Sequence, residues 1–154
     1  MDISVSIVIA RPVEAVFEFV SNYERDPRWR TGVLEMMQMP PGRSQVGTKT
    51  REVGRFFGRK MVTPGEVTKC EPNREVAFAG LMADEIRVSG RRTVEPMGEQ
   101  TRFTYQATVE LRGFYRLLEP LMAASLRKRF AGDLRRLKER LEASVGEPSG
   151  RVRM

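Results

Sequence analysis

The chain predicts an α+β fold in which a curved antiparallel sheet of seven strands wraps around a long C-terminal helix, with two short helices between the first two strands. Three observations predict it. Ile3, Val5, Ile7 and Ile9 alternate with Asp2, Ser4, Ser6 and Val8, the period of a strand with one buried face. From Val33 to Arg112, strand-like runs alternate with turn signals and no helical period intervenes. From Leu118 through Met122, Leu126, Phe130, Leu134 and Leu137 to Leu141, apolar residues step by four or three and so share one stripe of an α-helix.

Taken in order, the first strand breaks at Arg11-Pro12. Val13, Val16, Phe17 and Val20 then repeat at helical spacing, with Pro12 expected at the first helical position and Glu14 in the first turn. Ser21-Asn22 ends that helix or caps the next, and Tyr23 to Trp29 makes a second short helical or irregular segment interrupted by Asp26-Pro27. Six strands follow: Val33 to Met39, Thr48 to Phe56, Arg59 to Cys70, Arg74 to Met82, Glu85 to Glu95 and Thr101 to Arg112. Their connections are short, among them Phe57-Gly58, so consecutive strands form hairpins and the sheet is antiparallel. Pro120 is costly inside a helix, so Phe114 to Glu119 reads as a lead-in turn and Pro120 as the first residue or a kink of the main helix, which Gly146 and Pro148 stop. About 25 helical residues at about 1.5 Å each give a rod of about 37 Å, which needs one large apolar surface to lie on. Residues 1–145 read as a single domain and Gly146 to Met154 as a flexible tail.

Composition narrows the chemistry. The 154 residues contain one cysteine, Cys70, and no histidine, which removes an internal disulfide, a Cys-rich zinc site and the commonest general base. No metal site and no cofactor are expected. No apolar run is long enough for a transmembrane segment and the amino terminus is unlike a signal peptide, so the expected location is cytoplasmic. The formal net charge of +7 raises RNA, an acidic partner or anionic lipid as partners. Its densest part is Arg127 to Arg140 on the long helix, Arg127, Lys128, Arg135 and Arg136 among them, with Arg151 and Arg153 in the tail; the simpler reading of that face, mixed with Glu139 and Glu142, is a solvated one. The sequence leaves the oligomer open, a homodimer included.

A curved sheet cannot touch a straight rod everywhere, and where it stands away a cavity remains. Strand parity places Met61, Val67, Val76, Phe78, Ile86, Val88, Phe103, Tyr105 and Val109 inward, facing Leu118, Met122, Leu126 and Phe130 of the helix. Each is core or cavity lining. Parity also turns Glu52 and Arg92 inward, where a charge must be paired or solvated; one answers the other or a ligand carboxylate, unless a bulge near Gly90 turns Arg92 out. Tyr105 offers a hydroxyl to a ligand oxygen.

Several phrases carry a family resemblance: Ala10-Arg11-Pro12-Val13-Glu14-Ala15-Val16-Phe17, Pro27-Arg28-Trp29, Phe57-Gly58-Arg59, Val67-Thr68-Lys69-Cys70-Glu71-Pro72, Val94-Glu95-Pro96 with Gly98 and Thr101-Arg102-Phe103-Thr104, and Asp133-Leu134 with Leu137-Lys138. With the element order, they resemble the START-like, or SRPBCC, superfamily and its polyketide cyclase/dehydrase-like branch. The resemblance implies a helix-grip fold with a deep cavity for lipids, polyketides or other hydrophobic small molecules, and it places Trp29 at the cavity mouth. Expected ligand contacts are therefore Trp29, Met61, Phe78, Val88, Arg92, Phe103, Tyr105, Leu118, Met122, Leu126 and Phe130. The first expectation is binding of such a molecule. A polyketide cyclase or dehydratase is the enzyme alternative; without histidine its base would be Glu52 or Glu110 and its donors Tyr105 and Arg92. A basic-surface protein that meets RNA, an acidic partner or anionic lipid is the third.

Overall fold

The computed structural model describes residues 1–83 and 85–144. Its strands are β1 (Asp2–Ile9), β2 (Val33–Met39), β3 (Lys49–Phe56), β4 (Arg59–Glu71), β5 (Glu75–Met82), β6 (Ile86–Met97) and β7 (Gln100–Val109). Between β1 and β2 lie an α-helix, α1 (Val13–Val20), and a 3-10 helix, η1 (Tyr23–Arg28); after β7 come a second 3-10 helix, η2 (Gly113–Leu118), and the long helix α2 (Glu119–Ala143). The expected stop at Gly146 and Pro148 and the expected tail fall outside the described residues. Pro12 stands one place earlier than expected, as the extended N-cap of α1. There its fixed φ and missing N–H cost nothing.

All strand pairs are antiparallel, in the order β1-β7-β6-β5-β4-β3-β2. Six strands thus meander, and β1 returns to the far edge beside β7, with Asp2 opposite Thr108 and Ile9 opposite Thr101. The β3–β4 turn has positive φ at both Phe57 (50°) and Gly58 (82°), the type I′ geometry whose twist suits a two-residue hairpin. A register shift between Val67 and Lys69 in β4 reverses the side-chain parity, so Cys70 follows Val67 inward.

The concave face holds α2. Met122, Leu126, Phe130, Leu134, Leu137 and Leu141 are buried along its stripe, and Asp133 is buried beside them. Leu118, expected on the same stripe, is instead exposed and ends η2. The tighter 3-10 winding, about 3.0 residues per turn against 3.6, rotates it off the apolar line. Toward its carboxyl end α2 packs Leu134, Leu137 and Leu141 into a core with Ile9, Val16, Phe17, Val20, Trp29 and Phe103. Toward its amino end Met122 packs with Met82, Val109 and Leu111. Among the described residues no helix is long and apolar enough to cross a membrane, and no cluster of His, Cys, Asp or Glu would hold a metal ion.

Candidate functional site

η1 lies over one end of the concave face and supplies its charge. Asp26 precedes Pro27, and the backbone N–H groups of Trp29 and Arg30 donate to the Asp26 carbonyl (3.1 and 2.8 Å), so the segment turns tightly and brings Tyr23, Asp26, Trp29 and Arg30 inward. From β6, Arg92 reaches the same place. β6 keeps its register with both β5 and β7 through Gly90 to Arg92, so no bulge turns Arg92 outward. Gly90 serves a different purpose, because a Cβ there would lie 2.7 Å from the Phe78 ring.

The Arg92 guanidinium donates to both oxygens of Asp26 (2.9 and 2.5 Å) and to the Val20 carbonyl (2.9 Å). It sits among three aromatic rings, with centroids 4.3 Å away for Tyr23 and 5.2 Å for both Trp29 and Tyr105. Arg30 donates from Nη1 to Asp26 (3.0 Å) and to Glu52 of β3 (2.9 Å). Arg92 and Glu52 therefore do not answer each other directly but are the ends of a chain of alternating sign, Arg92–Asp26–Arg30–Glu52, that sums to zero. Such a chain answers the desolvation of each member with an adjacent opposite charge. For Arg92, burial acts against the charged form, but Asp26 and the neighbouring tyrosines outweigh it and hold the pKa above the ordinary arginine value. Arg30 behaves alike, with Glu52, Tyr105 and Asp26 outweighing its burial. Burial pushes the Tyr23 hydroxyl above its ordinary value despite Arg92.

Beyond this network, between β3–β7 and α2, lies a cavity of about 80 Å³. Its apolar wall includes Phe56, Met61, Phe78, Met82, Val88, Val109, Leu126 and Phe130, and its polar end is formed by Arg30, Glu52, Thr63, Tyr105 and Arg129. That volume holds two or three waters at about 30 Å³ each, against about 300–1,000 Å³ for the pocket of a drug-sized ligand. The space expected for a deeper cavity is occupied by Trp29 and Arg92, which are 0% and 1% exposed. Trp29 packs edge-on against Phe103 and Tyr105, both at 6.1 Å, and Tyr105 stacks on Phe130 at 5.1 Å.

The turn between η1 and β2 is tied to α2 next to the lining residues Arg30 and Arg129. Asp133 of α2 accepts from the Thr31 backbone N–H (3.1 Å) and hydroxyl (2.9 Å). Arg129, one helical turn earlier, crosses Gly32 and donates from Nη2 to the Arg55 carbonyl (3.1 Å). A Cβ on Gly32 would fall 1.4 Å from that Nη2, so glycine makes the seat for the guanidinium.

Of the residues expected to contact a ligand, Met61, Phe78, Val88, Tyr105, Leu126 and Phe130 border the cavity, as does Glu52. Trp29, Arg92 and Phe103 lie in the core behind it, Met122 lies in the neighbouring cluster, and Leu118 is at the surface. Tyr105, Arg92 and Glu52 do not converge on one point, since Arg92 is spent on Asp26; nor is Glu110, which is exposed, part of the cavity wall. Sequence reasoning missed Asp26, Arg30, Arg129 and Asp133. Asp26 and Arg30 carried a signal, the i, i+4 spacing of opposite charges around a proline. Asp133 carried another, a carboxylate on the apolar stripe side of α2. Arg129 carried none, being one arginine in a run of basic residues.

A family model described as polyketide cyclase / dehydrase and lipid transport matches residues 1–142. A comparison with curated protein sequences gives no match. Among solved structures, the chain is similar to TTHA0849 from Thermus thermophilus, with 23% identity over 94% of this chain and 99% of that one and a TM-score of 0.77. It is similar to a START superfamily protein from Mycobacterium smegmatis, at 17% identity over 93% and 98% with a TM-score of 0.72. It is also similar to the Zhui aromatase/cyclase from a Streptomyces species, at 13% identity over 98% of both chains with a TM-score of 0.74. At these identities the likeness shows the fold, a helix-grip arrangement of the START type.

Proposed function

The chain belongs to the polyketide cyclase / dehydrase and lipid transport family, and from that premise we propose that it binds a hydrophobic small molecule, a lipid, a polyketide or a compound of like character, in the cavity between the sheet and α2. The observation that carries this reading is the make-up of the cavity: an apolar wall of Phe56, Met61, Met82, Val88, Leu126 and Phe130 faces a short polar end. That is the composition of a small-molecule site. At about 80 Å³ the cavity admits only part of such a ligand, so binding requires the wall to move. Met61 and Met82 suit that demand, because an unbranched thioether repacks around different shapes.

Titration with neutral N-phenyl-1-naphthylamine tests the proposal, together with native mass spectrometry of the purified protein. A saturable, blue-shifted fluorescence and a co-purifying hydrophobic compound are expected. No saturable binding, with solvent extracts repeatedly empty, would sink it. Met61→Trp, which fills the cavity, should weaken the probe at least tenfold.

A further inference from the structure

The polar end of the cavity has more cation than its own carboxylates neutralise. Arg92, Asp26, Arg30 and Glu52 cancel one another. Arg129 is left over: among the described residues its contact is to the Arg55 carbonyl and it pairs with no carboxylate. Two donors at this end are also unused. The Nε–H of Arg30 and the Nε–H of Arg129 are both buried without an acceptor, and both residues border the cavity. A buried donor without a partner is costly, and a guanidinium with no carboxylate beside it attracts an anion. Arginine's planar fork further suits an acceptor with two oxygens.

Resting on the reading that the cavity binds a hydrophobic molecule, we infer that this molecule carries an ionised carboxylate, received at the end of the cavity between Arg30 and Arg129. The volume agrees with that placement. About 80 Å³ seats a carboxylate and the first carbons of a chain, and the remainder enters as the wall of Met61, Met82, Val88 and Leu126 moves. Glu52 sets the selectivity from the other side, since Arg30 already compensates it and its uncovered oxygen repels a second anion placed anywhere but beside Arg129. Gly32 belongs to the device as well. It leaves the room in which the Arg129 guanidinium lies.

The test is displacement of bound N-phenyl-1-naphthylamine by three probes of equal chain length: decanoate, 1-decanol and decylammonium. The wild type should bind decanoate at least tenfold more tightly than 1-decanol, and decylammonium more weakly than either. Arg129→Gln should bring decanoate within about twofold of 1-decanol and leave 1-decanol unchanged. Arg129→Lys, which keeps the charge but loses the Nε–H, should fall between. Gly32→Ala keeps Arg129 but denies it its seat, and should lose the preference too, so the inference stays testable if an Arg129 variant folds poorly. Equal binding of decanoate and 1-decanol by the wild type overturns the carboxylate site and leaves hydrophobic binding standing. A preference that survives in Arg129→Gln and in Gly32→Ala overturns it as well. If none of the three displaces the probe, the cavity reading itself fails.

Discussion

Asp26 is fully buried and accepts from two arginines, Arg92 on both its oxygens and Arg30 on one. Removing its charge leaves Arg92 buried without compensation, and breaking one side of such a pair costs about 3–5 kcal/mol. Asp26→Asn should therefore lower the unfolding free energy by about that much in urea. The double variant Asp26→Leu with Arg92→Met should recover much of the loss, since a well-packed apolar substitute for a buried pair is often neutral. A loss below about 1 kcal/mol for Asp26→Asn would mean that water reaches the pair. Half of this chemistry was legible in the chain: parity turned Arg92 and Glu52 inward, but it left their partners open between each other and a ligand carboxylate. The true partners are Asp26 of η1 and Arg30 just after it, in a segment whose 3-10 winding does not follow the period on which parity and helical spacing rest.

At the scale of elements, the last turn of α2 is clipped to the end of β1 through Glu142. Its carboxylate accepts from Lys138 Nζ (2.6 Å) and the Ala10 backbone N–H (2.8 Å), while the same Nζ donates to the Val8 carbonyl (2.8 Å). The Lys138 hydrogen bond, then the Ala10 N–H, hold the Glu142 carboxyl below its ordinary range. A carboxyl depressed in the folded state contributes stability that is present above its unfolded pKa of about 4.3 and is lost as pH falls through the lower folded value. Glu142→Gln should thus lower the melting temperature at pH 7 and flatten its decline below about pH 4.3; a variant with an unchanged acid limb would show the clip to be idle. Element type was legible nearly throughout, because hairpin turns and a long period-3.6 stripe are local signals. Boundaries moved where a local rule had two solutions, as at Pro12, or where 3-10 replaced α winding, as at Leu118.

Across the whole molecule, the space under the sheet divides into a filled part and an unfilled one. Met122 does not border the cavity and packs behind its wall against Met82, Val109 and Leu111, whereas Met61 borders the cavity directly. Met122→Trp should overpack by about 1–3 kcal/mol and lower the melting midpoint by about 2–4 °C for each kcal/mol, without a selective loss of probe. Met61→Trp should do the reverse, holding the midpoint near wild type while the probe is displaced. Equal destabilisation by both would mean that the cavity wall is ordinary core. The sequence by itself determined the order of elements, the antiparallel sheet and the helix that lies on it, because alternation, helical spacing and turn residues act between near neighbours. Only the tertiary structure decided that β1 closes beside β7, that Trp29 and Arg92 fill the deep end, and that Arg30, Glu52 and Arg129 meet at one cavity. Those outcomes join residues tens of positions apart, and they depend on which side chains exclude one another in a shared volume.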